Sequence, residues 1–188
     1  YPVLDDFNGA EQEGLGVYQV THDNGERCSA ARAYLFPHLN RPNLTIWTKA
    51  TTHKIIIEQK AAVGVQVQHA GQLKTLRARQ EVLLSAGAMQ SPHLLMLSGI
   101  GDAEELKQHG IELKHHLPGV GKNFHDHPDF IFGYSVKEFA GTFGISMSGS
   151  LDMFKQIGRY RSERRGMIAS NFAECGGFIK SSPALKIP

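Results

Sequence analysis

The stretch that most constrains this chain lies near its middle. A short apolar run, Glu81-Val82-Leu83-Leu84-Ser85, passes directly into Ala86-Gly87-Ala88 and then Ser91-Pro92. Such a run reads as a strand buried on both faces, the habit of parallel sheets. Ser91 followed by Pro92 reads as an N-cap with proline at the first helical position, which predicts a helix over 92–97 ending at Gly99. Asp102 predicts a second cap, for a helix running to Gln108 and closed by Gly110. Strand, small-residue turn and helix together form a unit typical of nucleotide-binding α/β sheets. Small residues let backbone N–H groups approach a ligand, and the helix N-terminus behind them favours negative charge such as phosphate. The same residues also serve simply to pack a helix on a sheet. Turn chemistry alone leaves both readings open.

Upstream of this unit the grammar is different. Four β-like runs, 44–48, 52–58, 63–68 and 73–78, are separated in two places by the short turns Gln59-Lys60-Ala61 and Ala70-Gly71-Gln72. These predict a small antiparallel meander. Before it, period-2 alternation over 16–21 predicts a strand, and Ser29 predicts a cap for a short Ala-rich helix through Leu35, stopped by Pro37. Downstream, a Pro/Gly/His-rich loop over 117–129 leads into a predicted strand at 130–136. A Gly/Ser-rich segment, 140–149, then precedes a helix from Ser150 to about Arg161. In the last segment, 168–180, Glu174-Cys175-Gly176-Gly177-Phe178-Ile179 predicts a strand whose glycines allow a bulge or close backbone approach.

Composition narrows the class of protein. The 188 residues are 41% apolar and carry 20 Lys+Arg against 18 Asp+Glu, so no strong field draws the chain to nucleic acid or anionic lipid. No stretch approaches the roughly 18 apolar residues of a membrane span. Two cysteines, Cys28 and Cys175, are too few for a disulfide scaffold and fit a reducing compartment, so a cytoplasmic location is expected. The chain opens at Tyr1-Pro2-Val3 and closes at Ile187-Pro188 just after an apolar run, features expected of a piece of a longer chain.

The full run 87–101, Gly-Ala-Met-Gln-Ser-Pro-His-Leu-Leu-Met-Leu-Ser-Gly-Ile-Gly, resembles the second signature of the glucose-methanol-choline (GMC) family of flavin-dependent oxidoreductases. The defined positions of that signature are met by Gly87, Ala88, Ser91, Pro92, Leu94-Leu95 and Ser98-Gly99-Ile100-Gly101. Ala30-Ala31-Arg32-Ala33-Tyr34-Leu35 and Arg41-Pro42-Asn43-Leu44-Thr45 resemble the helix and strand that lead into the family's FAD-contacting meander. Leu117-Pro118-Gly119-Val120-Gly121-Lys122-Asn123-Phe124-His125-Asp126-His127-Pro128 resembles a further family element, and 170–178 resembles a substrate-domain strand of choline-dehydrogenase-like members. The resemblance implies an α+β chain: an incomplete FAD-binding α/β domain with an antiparallel β-meander over residues 1–128, and part of the substrate-binding domain over 129–188. It implies FAD as cofactor, with Thr52, Ser85, Ala86 and Gly87 on the adenosine side of the site, acting largely through backbone atoms.

Two family features have no counterpart here. Gly14-Leu15-Gly16 is followed by Gln19, and Gly119-Val120-Gly121 by Phe124, so neither completes the Gly-x-Gly-x-x-Gly fingerprint that receives the FAD pyrophosphate. None of the ten histidines matches the family's catalytic motif, and no catalytic residue is assigned.

Other residues invite assignment. His115, His116, His125 and His127 suggest a metal site, but an extended chain sends His125 and His127 to opposite faces, and no metal is expected. Four arginines over 159–165 read as a solvated helix end in the absence of interleaved aromatics beyond Tyr160. The two serines of 144–149 lack nucleophile-elbow spacing. Glu174 matches an acidic residue in the substrate pocket of choline-oxidising relatives, where a carboxylate balances a quaternary ammonium; the competing reading is a surface or salt-bridged glutamate.

The expected function is thus a segment of an FAD-dependent alcohol dehydrogenase that oxidises a primary alcohol to an aldehyde by hydride transfer to flavin, inactive by itself. Its partners would be a small alcohol substrate and, through exposed strand edges, further copies of itself. The rival expectation is a free-standing, non-catalytic nucleotide- or partner-binding module.

Overall fold

The computed structural model describes residues 1–134 and 147–187. In chain order come β1 (Gly14–Val17), β2 (His22–Asp23), β3 (Glu26–Arg27), β4 (Ala50–Glu58), β5 (Ala61–His69) and β6 (Gln72–Arg77). They are followed by α1 (Gly87–Leu97), β7 (Ile100–Gly101), α2 (Ala103–Gln108), β8 (His115–His116), α3 (Met147–Glu163) and β9 (Cys175–Phe178). The chain packs as two units, Tyr1–Leu44 with Tyr134–Pro188, and Thr45–Gly133.

The contiguous unit is built on the expected meander, β4-β5-β6, all antiparallel. Both turns are two residues long and left-handed: Gln59 and Lys60 at φ 49° and 66°, Ala70 and Gly71 at φ 51° and 75°. That geometry matches the twist of paired strands. The β4–β5 ladder steps from Thr52↔Val67 to Lys54↔Gln66, so His53 is an extra residue, a bulge. Ile55, Val67 and Leu106 are the buried apolar side chains among the described residues.

Helix α1 is tied to the outer edge of β4 by Ser98, which is buried. Its Oγ accepts the Ile55 N–H at 2.8 Å and donates to the Leu94 carbonyl at 2.6 Å. Gly99 follows at φ 86°, and a Cβ there would overlap the Glu112 carbonyl, so the turn after α1 admits only glycine. Asp102 caps α2 as expected, its Oδ1 accepting from the Glu104 and Glu105 N–H groups at 3.1 Å. β7 and β8 pair in parallel.

The discontinuous unit joins the two ends of the chain. β1 and β9 are antiparallel, Gly14↔Phe178 through Val17↔Cys175, and the Tyr18 N–H continues the ladder to the Glu174 carbonyl at 2.9 Å. Phe7 packs edge-on to Phe178 (5.5 Å) and tilted on Tyr18 (5.7 Å). The close approach expected of the β9 glycines is real: a Cβ on Gly176 would overlap the Tyr18 ring. Glu26 bridges Arg32 (2.6 Å) and Arg164 (2.8 Å), fastening the end of α3 to the β2–β3 hairpin. Its carboxyl is held below its ordinary value, chiefly by the Arg32 hydrogen bond and then by the charges of Arg32 and Arg164.

Several local expectations are corrected. Helix α1 begins at Gly87, not Pro92, so Ser91 and Pro92 lie inside it. Ser91 Oγ instead reaches back to accept the Ala86 N–H at 3.1 Å, a capping contact made from within the helix. The strand expected at 16–21 is β1, displaced toward the N-terminus because its register is set by the distant β9. Residues 44–48 form no strand: Trp47 anchors the segment by stacking on His69 at 4.6 Å, with the Lys74 ammonium 5.2 Å from its ring. Residues 81–85 are irregular and pair with no strand among the described residues; an apolar run becomes a strand only when a ladder partner is beside it.

The same holds for 130–134, where Phe130, Ile131, Phe132 and Tyr134 are 79–92% exposed; Ser135 and Val136 lie outside the described residues. The short Ala-rich helix ends at Leu35 as expected, but Pro37 does not end the helical path. Ala31–Leu35 forms one π-helical turn, and Pro37 sits within the 3₁₀ turn Phe36–His38 that follows. The later helix begins at Met147 and ends at Glu163, so it takes in the last residues of the Gly/Ser-rich 140–149; positions 140–146 lie outside the described residues.

Candidate cofactor site

A cavity of about 790 Å³ opens between β4, residues 82–86 and one face of α1. Thr52, Ser85 and Ala86 all line it, three of the four positions that the family resemblance implies for the adenosine side of the site. The fourth, Gly87, is the first residue of α1 at φ 87°, a left-handed value natural to glycine, with no protein atom within 4 Å of where a Cβ would stand. The local sequence accounts for this geometry. Ala86, Gln90, His93, Leu94 and Leu97 follow helical spacing, so one stripe of α1 faces the cavity. On the sheet side the bulge at His53 breaks strict alternation, which lets the neighbours Thr52 and His53 line the same space.

The walls suit an adenosine. Val65, Val82, Leu84 and Leu94 supply apolar surface for a flat ring. No hydrogen bond among the described residues uses the backbone of 82–85, which leaves its N–H and C=O groups open to a ligand. Pockets of about 300–1,000 Å³ with an apolar wall and a few polar groups are the ordinary form of small-molecule sites. The donor set therefore fits the adenosine half of a dinucleotide.

His53, Gln90 and His93 also line the cavity and were not singled out from the sequence. His53 Nε2 lies 3.1 Å from Gln68 Oε1, and His93 Nδ1 lies 3.3 Å from Gln90 Oε1. The helical spacing of Ala86, Gln90 and His93 was the available signal; the bulge that turns in His53 had none.

Glu174 stands elsewhere. It is exposed, immediately before β9, on a hollow of about 430 Å³ also lined by Tyr18, His22, Ser170, Asn171 and Cys175. No ion pair among the described residues engages its carboxylate, in contrast to Glu13, which pairs with Lys180 at 2.8 Å. Phe172 has a left-handed φ of 67°, so the alternation of β9 does not extend back to it, and Phe178 packs on Phe7. Among the described residues no group of three His, Cys, Asp or Glu side chains is placed to hold a metal, and no helix is long and apolar enough to cross a membrane.

Solved structures share this architecture. An FAD-dependent oxidoreductase from Chaetomium thermophilum superposes with a TM-score of 0.77 at 26% identity, over 89% of this chain and 30% of that one. A formate oxidase gives 0.75 at 28% identity, over 95% of this chain and 31% of that one. The fold is that of part of an FAD-binding domain, in an α+β chain. The GMC oxidoreductase family matches residues 1–129, and the chain belongs to that family. Among its relatives, an alcohol dehydrogenase [acceptor] of Pseudomonas putida is 47% identical over 95% of this chain and 32% of its own length. An oxygen-dependent choline dehydrogenase of Photobacterium profundum is 41% identical over 100% of this chain and 33% of its own. The chain thus spans about a third of the length of these relatives.

Proposed function

We propose that this chain is the part of an FAD-dependent, choline-dehydrogenase-like enzyme that holds the adenosine half of the cofactor. Residues 1–128 belong to its cofactor domain and 129–188 to its substrate domain. The observation that carries the reading is the single cavity on which Thr52, Ser85 and Ala86 meet, with Gly87 opening the helix behind them. In this role the free backbone groups of 82–85 and Thr52 fix the ribose and purine, while Val65, Val82, Leu84 and Leu94 exclude water from the ring face. Bound flavin would supply the hydride acceptor for oxidation of a primary alcohol to its aldehyde. No residue of this chain is assigned a proton-transfer role in this reading. In its substrate part, Glu174 offers a carboxylate as counter-charge to a quaternary ammonium.

By itself the chain is expected to be colourless after gel filtration and inactive toward choline, because no Gly-x-Gly-x-x-Gly turn grips the pyrophosphate. A free-standing module would cover its apolar residues; the exposure of Phe130, Ile131 and Phe132 speaks against that alternative.

The test is amide NMR of the chain titrated with adenosine monophosphate. Progressive, saturable shifts confined to Thr52, residues 82–90 and their neighbours support the proposal. Shifts scattered elsewhere, or none at millimolar nucleotide, refute it.

A further inference from the structure

Helix α2 is capped by two side chains. Asp102 Oδ1 takes the Glu104 and Glu105 N–H groups, while the N–H of Ala103, the first helical residue, is held by His116 Nδ1 at 3.2 Å. A backbone N–H only donates, so the ring nitrogen opposite it carries a lone pair. His116 is therefore neutral, with its hydrogen on Nε2, for as long as this contact is made. The surrounding backbone brings the ring there. β8 pairs with β7, Gly101 opposite His116, and the Leu117 N–H donates to the Gly101 carbonyl at 2.9 Å. Among the described residues two side-chain hydrogen bonds join this stretch to α2 and its caps: His116 to Ala103, and Lys122 to Glu105 at 2.7 Å. Neither His116 nor Ala103 lines the cavity of the proposed function.

We propose that His116 is a proton-operated clip on the start of α2. The neutral imidazole completes the capping that Asp102 begins. A proton taken from solvent onto Nδ1 fills the lone pair, and the Ala103 N–H is released to water. The new Nδ1–H then has the Asp102 carboxylate as its acceptor at this helix start, where Oδ2 makes no hydrogen bond among the described residues. The imidazolium exchanges a helix amide for a carboxylate, and Lys122–Glu105 remains as the side-chain tie between strand and helix. His116 is exposed, so the proton reaches it without unfolding.

The charged and titratable side chains on the elements around the ring are those of Asp102, Glu104, Glu105, Lys107 and His109 on α2 and its caps, Glu112, Lys114 and His115 before it, and Lys122 after it; β7 carries none. Glu112 is paired with Lys114 at 2.6 Å. His109 and His115 are the other imidazoles of this set, and His109 stands at the opposite end of α2. His115, the immediate neighbour, is the group whose titration has to be told apart.

The experiment is a pH titration of the intact ¹⁵N-labelled chain from about pH 8 to about pH 5, followed on the Ala103 amide and on the imidazole rings. At the upper end, long-range ¹H–¹⁵N spectra should show His116 with Nδ1 bare and Nε2 protonated. As the pH falls, the Ala103 amide resonance should move along the same curve as the His116 ring. His116→Asn offers a side-chain oxygen that stays an acceptor throughout this range, so there the Ala103 amide should hold still. In the acid half, Ala103 should exchange with solvent roughly 2- to 12-fold faster in the wild type than in His116→Asn, the worth of one hydrogen bond. His115→Asn should titrate like the wild type.

A His116 ring with its hydrogen on Nδ1 at the upper end, or an Ala103 amide that ignores the titration of that ring, would overturn the proposal. So would a dependence that survives in His116→Asn or disappears in His115→Asn. The first two outcomes are read on the wild-type chain, so the answer does not rest on how the variants fold.

Discussion

Removing one hydroxyl, Ser98→Ala, isolates the contact that holds the wall of the cavity in place. Ser98 is 6% exposed and Ile55 likewise 6%. The Leu94 carbonyl keeps a partner without the hydroxyl, because the Ser98 backbone N–H also donates to it at 3.1 Å. The Ile55 N–H does not: it points off the outer edge of β4, away from β5, and the Ser98 Oγ is its acceptor. The variant therefore leaves one buried amide unsatisfied, at a cost of about 1–3 kcal/mol. With a urea dependence of about 2 kcal/mol per molar, the unfolding midpoint should fall by about 0.5–1.5 M at unchanged slope. Ser91→Ala is the internal comparison. Its Oγ accepts from the exposed Ala86 N–H, where water can substitute, so the loss should sit at the low end for a cap, about 0.5 kcal/mol. Equilibrium urea curves followed by far-ultraviolet circular dichroism measure both. A midpoint for Ser98→Ala indistinguishable from wild type, or a Ser91→Ala loss as large, would refute the reasoning.

Lys60→Gly removes a side chain from a φ of 66° and should stabilise the β4–β5 turn by about 0.5–1 kcal/mol, read as a higher urea midpoint. Glu26 is depressed in the folded chain, so its ion network contributes stability above the ordinary carboxylate range and loses it as pH falls through the lowered value. The midpoint difference between wild type and Glu26→Gln should accordingly be present at neutral pH and vanish in strong acid; a difference independent of pH contradicts it. Self-association is expected from the unpaired backbone of 82–85 and the exposed apolar run at 130–134, and a mass by light scattering that stays monomeric at every concentration argues against it. In the full-length enzyme carrying this segment, Glu174→Gln should weaken choline at least about tenfold while sparing a neutral alcohol of similar size, and equal losses for both assign Glu174 to structure.

What could be read from the sequence was short-range chemistry. Gln59-Lys60-Ala61 and Ala70-Gly71-Gln72 announce hairpins because a short turn imposes its own backbone, although Ala61 and Gln72 prove to be the first residues of β5 and β6. Asp102, Gly99 and Gly110 announce caps for the same reason. Elements whose existence depends on a distant partner were misplaced. The register of β1 is set by β9 near the other end of the chain, and residues 81–85 and 44–48 have β-like composition without a ladder. Helix α1 starts at Gly87 because a left-handed glycine opens it, a signal overridden in the sequence by the stronger-looking Ser91-Pro92 pair. For the candidate site, Thr52, Ser85, Ala86 and Gly87 came from family resemblance and three of them do share one cavity. His53, Gln90 and His93 escaped notice because one is turned by a bulge and the others are ordinary polar residues on a helix.

The two-unit construction bears on how such a chain is made. Every contact inside Thr45–Gly133 is available once residue 133 has left the ribosome, so this unit can fold while synthesis continues. The other unit cannot close so early. Gly14 pairs with Phe178, and at roughly 5–20 residues per second the earlier strand emerges about 8–30 s before its mate. Throughout that interval Leu15 and Val17 lie on an open edge beside a nascent chain that also displays Phe130, Ile131 and Phe132. A holdase chaperone binding at β1 would relieve this exposure, and a pause in translation between α3 and β9 would prolong it. Vulnerability during synthesis is thus concentrated in the first strand.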